Sequence, residues 1–206
     1  MRKFLFIAMI AIAGVITANA QKTSGFELGG GLGVNFSVVS DIDAQNSTNT
    51  LTSFNFGATA EYYFSDRWGL KVKMISDQKG WADGFITGPS LNTVTTDFQL
   101  NYLTIPVMAN WHFGSTRKWY LHFGPYVGIL LKAEDSELGI DVKDSLESTD
   151  FGLAFGIGYK FPIAENTNFF VEYDGQSGLT EIFANNSGET IRNARSSFNI
   201  GVLFSL

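Results

Sequence analysis

The chain has no cysteine among its 206 residues. That excludes a disulfide framework and also a lipid-anchored N-terminal cysteine. Basic residues are scarce: 14 Lys and Arg stand against 20 Asp and Glu, for a net charge of -6. A nucleic-acid binder needs a basic stripe, and none is present. Beyond residue 20 no stretch is long and apolar enough for a spanning helix, which takes about 20 apolar residues.

What is present begins with an export signal. Arg2 and Lys3 give a positive start, Phe4 to about Ala18 an apolar run, and Ala18-Asn19-Ala20 a small-x-small cleavage site. Residues 1–20 are therefore predicted to be a cleavable signal peptide, leaving 21–206 as one domain. The 22 Gly and 19 Phe of the chain leave two exported forms. One is a soluble β-domain; the other is a closed barrel, which besides helices is the only form that spans a membrane.

Residues 100–131 bear on that choice. Leu103, Ile105, Val107, Ala109, Trp111 and Phe113 share one face of an alternating run. After the polar turn at 114–118, Trp119, Leu121, Phe123, Val127, Ile129 and Leu131 do the same. Two such runs around a short turn predict a β-hairpin. A soluble barrel would show the same period with its apolar side inward. Here, however, Trp111, Phe113 and Trp119 gather at the turn, as rings do at a membrane interface.

The same alternation recurs at 25–39, 54–64, 68–75, 151–161, 169–174 and 197–206. The predicted connections run long, short, long, short, long, short, long, with long loops at about 41–50, 77–95, 133–149 and 177–194. Small outer-membrane barrels sort their loops in this way. The expected fold is all-β: an eight-stranded antiparallel up-and-down transmembrane barrel, both mature termini periplasmic. An aromatic girdle is expected from Phe64, Trp68, Trp111, Phe113, Trp119, Tyr159, Phe161 and Phe169.

The opposite face supplies the lumen. Glu61, Lys71, Lys73, Asn110, His122, Lys132, Lys160, Glu172 and Asp174 are expected to form a polar network there, with Glu61 directly across from Lys71 as an ion pair. An eight-stranded barrel is only wide enough for side chains to fill, so a plugged interior is expected rather than a pore. His112 and His122 face inward beside Asn110 and Tyr120. A hydrolase would require a nucleophile and an orienting carboxylate within reach, and the hairpin offers only Ser115. No catalytic residue, metal site or cofactor is assigned. The glycines at 29–33 lack the following helix of a nucleotide fingerprint and suit a crowded barrel interior.

Tyr102-Leu-Thr-Ile-Pro-Val-Met, Trp119-Tyr-Leu-His-Phe-Gly-Pro-Tyr-Val-Gly, Asp150-Phe-Gly-Leu-Ala-Phe-Gly-Ile-Gly-Tyr and Phe169-Phe-Val-Glu-Tyr-Asp together resemble the PorT-like family of small Gram-negative outer-membrane barrels. Gly178-Leu-Thr and the terminal Ser197-Phe-Asn-Ile-Gly-Val-Leu-Phe extend the resemblance. It implies a barrel rather than an activity; one member of the family is associated with type IX secretion. The expected function is a non-enzymatic structural anchor or interaction platform. Its partners would be outer-membrane lipid, the barrel-assembly machinery during insertion, and a protein met through the loops, among them the loop holding Trp81 and Phe85. A narrow channel or small-ligand binder is the alternative, a secretion accessory the second, and a lipid-modifying enzyme the last.

Overall fold

A computed structural model describes residues 25–40, 49–87 and 92–206. The predicted signal peptide and most of the first predicted loop lie outside those residues. Eight strands follow in order: β1 (Phe26–Val39), β2 (Leu51–Tyr63), β3 (Trp68–Thr87), β4 (Thr93–Phe113), β5 (Trp119–Asp135), β6 (Thr149–Ala164), β7 (Thr167–Gly178) and β8 (Asn193–Ser205). Each pairs antiparallel with the next, and β8 returns to β1 to close the barrel. Among the described residues no sheet edge is left open.

The period-2 pattern places the side chains, and the result inverts a soluble protein. Phe54 is 69% exposed and Phe56 64%, and Phe123, Leu153, Phe155 and Phe198 are similarly bare on the outside. Lys71, Glu61, Glu172 and Arg195 are buried inside. An apolar belt of this extent, far beyond the few hundred Å² that soluble monomers expose, needs a hydrocarbon solvent.

Glycine makes the narrow interior possible. On β6 the inward positions 152, 156 and 158 are glycines facing Tyr126, His122 and Tyr120 of β5 in direct register. A Cβ on Gly158 would stand 2.2 Å from the Tyr120 ring, and one on Gly156 2.4 Å from His122 Nε2. The β5 rings therefore lie over a column of bare backbone. Phe170 does the same above Gly31 and Gly201.

The strand ends that meet the four predicted long connections share one end of the barrel, while the turns 64–67, 114–118 and 165–166 share the other. Two features depart most from expectation. The predicted loop at 77–95 is mostly strand: β3 and β4 stay paired up to Thr87↔Thr93, so their hairpin rises above the wall. A bulge between Trp81 and Gly84 keeps them in step, with Asp83 in the left-handed region at φ 56°. The second difference is a bulge on β5, where Asn101 pairs with Lys132 but Tyr102 pairs with Leu130. The extra residue, Leu131, reverses the alternation beyond it. Lys132 consequently points outward and meets Glu134 at 2.6 Å, rather than lining the lumen.

At the loop end the interior changes character. Val39, Trp81, Phe98, Leu100, Tyr102, Leu130, Ala133, Leu146, Ile182 and Ile191 form one buried apolar cluster. Loops 136–148 and 179–192 fold over the mouth to complete it. They are zipped together by Glu147 N–H to Ile182 O at 2.8 Å and Ala184 N–H to Ser145 O at 3.1 Å.

Candidate functional site

Beneath that cap the lumen is a chain of ion pairs. Its centre is Glu172 on β7. Lys71 donates to Glu172 Oε2 at 2.6 Å, Tyr120 OH at 2.9 Å, and Lys73 bonds Oε1. Lys73 also reaches Asp174 Oδ2 at 2.9 Å, and Arg195 forks between Asp174 and Asp77, at 3.1 Å from the latter. Toward the cap, Asp77 accepts from Asn35 at 2.9 Å and Gln176 at 3.1 Å. Asp150 takes Lys79 at 3.2 Å and Tyr126 OH at 3.0 Å.

Toward the short turns, Glu61 accepts from Asn110 at 2.7 Å, lies 2.7 Å from His112 Nε2, and meets Lys160 at 3.3 Å. Lys160 continues to Glu27 at 2.5 Å and to the Tyr63 hydroxyl. Five cations (Lys71, Lys73, Lys79, Lys160, Arg195) thus meet six carboxylates (Glu27, Glu61, Asp77, Asp150, Glu172, Asp174), all buried. Removed from bulk water, each such charge needs a partner and hydrogen bonds, and each carboxylate has at least two.

Of the residues expected in the lumen, Glu61, Lys71, Lys73, Asn110, His122, Lys160, Glu172 and Asp174 are buried there. Only Lys132 lies outside it. The expected Glu61–Lys71 pair is opposed in register, but Lys71 crosses the barrel to Glu172 instead. Asp77, Lys79, Asp150 and Arg195 were not anticipated: they sit in segments read as loops or loop borders, and only the true strand lengths turn them inward.

The interior holds little space. Beside Lys73, Glu172 and Asp174 is a void of about 30 Å³ bordered by Gly31, Gly57 and Thr59, room for about one water. His122, Glu172 and Asp174 bring ligand-type atoms within 4.8 Å of one another. Lys71, Lys73 and Arg195 already neutralise those carboxylates, so this donor set fits a salt-bridge node rather than a cation. His112 does gain a carboxylate, Glu61, from a strand outside its own hairpin. The third member of that cluster is the Asn110 amide, which cannot serve as a nucleophile, and Ser115 is an exposed turn residue.

The eight girdle residues face outward at the short-turn end, and seven of them form a run of neighbouring rings. Trp68–Trp111 centroids lie 6.3 Å apart, Trp111–Phe113 5.2 Å and Phe113–Trp119 6.3 Å. Trp119–Tyr159 follow at 4.9 Å, Tyr159–Phe161 at 4.6 Å and Phe161–Phe169 at 6.1 Å. A belt of this kind marks the boundary between hydrocarbon and water.

A polar core, a lipid-suited exterior and a ring-lined rim describe an outer-membrane barrel, and comparison with known proteins agrees. Residues 19–184 match the model of the outer membrane protein beta-barrel domain family. The chain belongs to that family. Like other outer membrane beta-barrel domains, it resides in the outer membrane. Its fold is similar to Neisserial surface protein A, 16% identical over 87% of this chain and 96% of that one, with a TM-score of 0.50. It is also similar to OprG from Pseudomonas aeruginosa, 15% identical over 91% and 98% of the two chains, with a TM-score of 0.53. Identities this low speak for the fold alone. No curated protein sequence matches the chain.

Proposed function

We propose that this outer-membrane barrel is a sealed, non-enzymatic anchor that works as an interaction platform at its loop end. The observation that carries the reading is the filled interior: a lumen occupied by paired charges and closed above by an apolar cluster. A solute would have to break the ion pairs around Glu172 and then part the cap.

In this reading both mature termini and the ring-lined turns face the periplasm, and the folded loops face outward. Lipid surrounds the wall, the barrel-assembly machinery inserts the chain, and a partner meets the loops. The finer PorT-like placement rests on the motif residues around Tyr102, Trp119 and Asp150.

The test is conductance in planar bilayers. The wild-type barrel is expected to give no stable unitary steps. Reproducible steps altered by Glu61→Ala would overturn the sealed reading in favour of a narrow channel.

A further inference from the structure

A hollow at the loop end opens directly to water. It forms where the short 3-10 turn Lys143–Ser145 meets the loop 179–192, and Asp144, Ser145, Phe183, Asn185, Asn186 and Ile191 line it. Its volume is about 390 Å³, within the roughly 300–1,000 Å³ of small-molecule sites. The two sides are fixed to each other by Ala184 N–H, which donates to Ser145 O at 3.1 Å. Glu181 takes the N–H groups of Ile182, Phe183 and Ile191 and the Asn186 amide, which holds the turn that carries Asn185.

The lining mixes two kinds of group. Ile191 is buried and Phe183 half-buried, so part of it is apolar. The Asp144 carboxylate and the Asn185 amide are exposed, and among the described residues neither side chain has a hydrogen-bond or ion-pair partner. Charge then decides what suits the hollow. Loops 136–148 and 179–192 carry Glu137, Asp141, Asp144, Glu147, Glu181 and Glu189 against Lys143 and Arg192. Lys143 is already engaged, donating to the Leu131 carbonyl at 2.9 Å. A field of that sign repels carboxylates and phosphates and draws in cations. A carboxylate holds an ammonium group through charge-assisted hydrogen bonds, and an aromatic ring attracts it through its face. The hollow has one of each.

We infer that this hollow binds a small organic ammonium ion with an apolar body. Its nitrogen pairs with Asp144 beside the Phe183 ring, the Asn185 amide oxygen accepts a second N–H, and the hydrocarbon rests against Ile191. The inference rests on the loop end being the working end of the molecule and adds the class of ligand which that end takes.

The test separates a site from a diffuse field. The intact barrel, in nanodiscs of zwitterionic lipid, is titrated with cyclohexylmethylamine, which is protonated at neutral pH, and with cyclohexylmethanol, its uncharged counterpart. The Phe183 and Asn185 amides are followed by ¹H–¹⁵N NMR. The amine is expected to shift both saturably and about tenfold more tightly than the alcohol, which lacks both the ion pair and the cation–ring contact. Asp144→Asn should weaken the amine about fivefold and leave the alcohol unchanged. Glu147→Gln removes a charge of the same loop outside the hollow and should weaken the amine by less than about twofold. Both positions are exposed, so neither exchange disturbs the fold.

An equal loss from the two exchanges would trace the binding to the general field of the loops and overturn the inference. So would equal binding of amine and alcohol, or a shift that rises without saturation. Because the sealed reading is tested by conductance, a barrel that neither conducts nor binds the amine refutes the hollow alone.

Discussion

The lumen and the cap occupy the same barrel, yet they are built on opposite principles. In the lumen, specificity comes from charge: Glu172, Asp174 and Asp77 each take donors from strands that are not their neighbours. In the cap it comes from shape, with Trp81, Phe98, Leu146 and Ile182 packed as in a small soluble core. The difference follows from what surrounds each. Lipid covers the outside of the wall, so the apolar residues face it and the polar ones are left for the interior. Above the bilayer, water lies outside, and apolar side chains turn in again.

Removing a lumen charge should therefore damage the whole barrel. Glu172→Gln leaves Lys71 and Lys73 with one fewer counter-charge, and a loss of about 3–5 kcal/mol is expected, measured by urea unfolding in vesicles. Adding Lys71→Met should recover part of it, because taking out both partners is less harmful than taking out one.

Damage to the cap should remain local. Trp81→Ala opens a cavity, with a cost of about 3 kcal/mol. It should appear as faster amide exchange in loops 136–148 and 179–192, while the barrel's own unfolding midpoint barely moves. An equal fall in that midpoint would show cap and lumen to be one cooperative unit.

The smallest effect separates the two regions by pH. Glu181 lies in the 179–192 loop; burial pushes its carboxyl up. The N–H groups of Phe183, Ile191 and Ile182 and the Asn186 amide outweigh that and hold it below the ordinary range. A lowered pKa means its stabilisation is complete above the ordinary value of about 4.3 and is lost as pH falls through the folded value. Acidification should loosen this loop, read by amide exchange, and Glu181→Gln should remove that dependence.

The barrel was legible because its signal is strictly periodic. Phe151, Leu153, Phe155 and Ile157 leave few alternatives to a strand with one apolar face, and the register at Phe113↔Trp119 followed from the turn length. The cap was not legible. Around Trp81 and Gly84 the alternation is broken by a bulge, and the glycines there read as loop. Trp81 was expected to meet partners from a loop, whereas it is buried against Phe98. The bulge at Leu131 hid the outward turn of Lys132 for the same reason: one inserted residue leaves no mark in composition but reverses every position beyond it.

The ion pairs join residues that the ribosome makes far apart. Lys73 and Glu172 are separated by 99 residues and Lys160 and Glu27 by 133. A chain halted before β7 would hold Lys71 and Lys73 without Glu172 and Asp174, so half-made barrels lack the centre of this circuitry. Closure and neutralisation of the central lysines then arrive together, with the last two strands, and the finished cylinder is favoured over every shorter sheet.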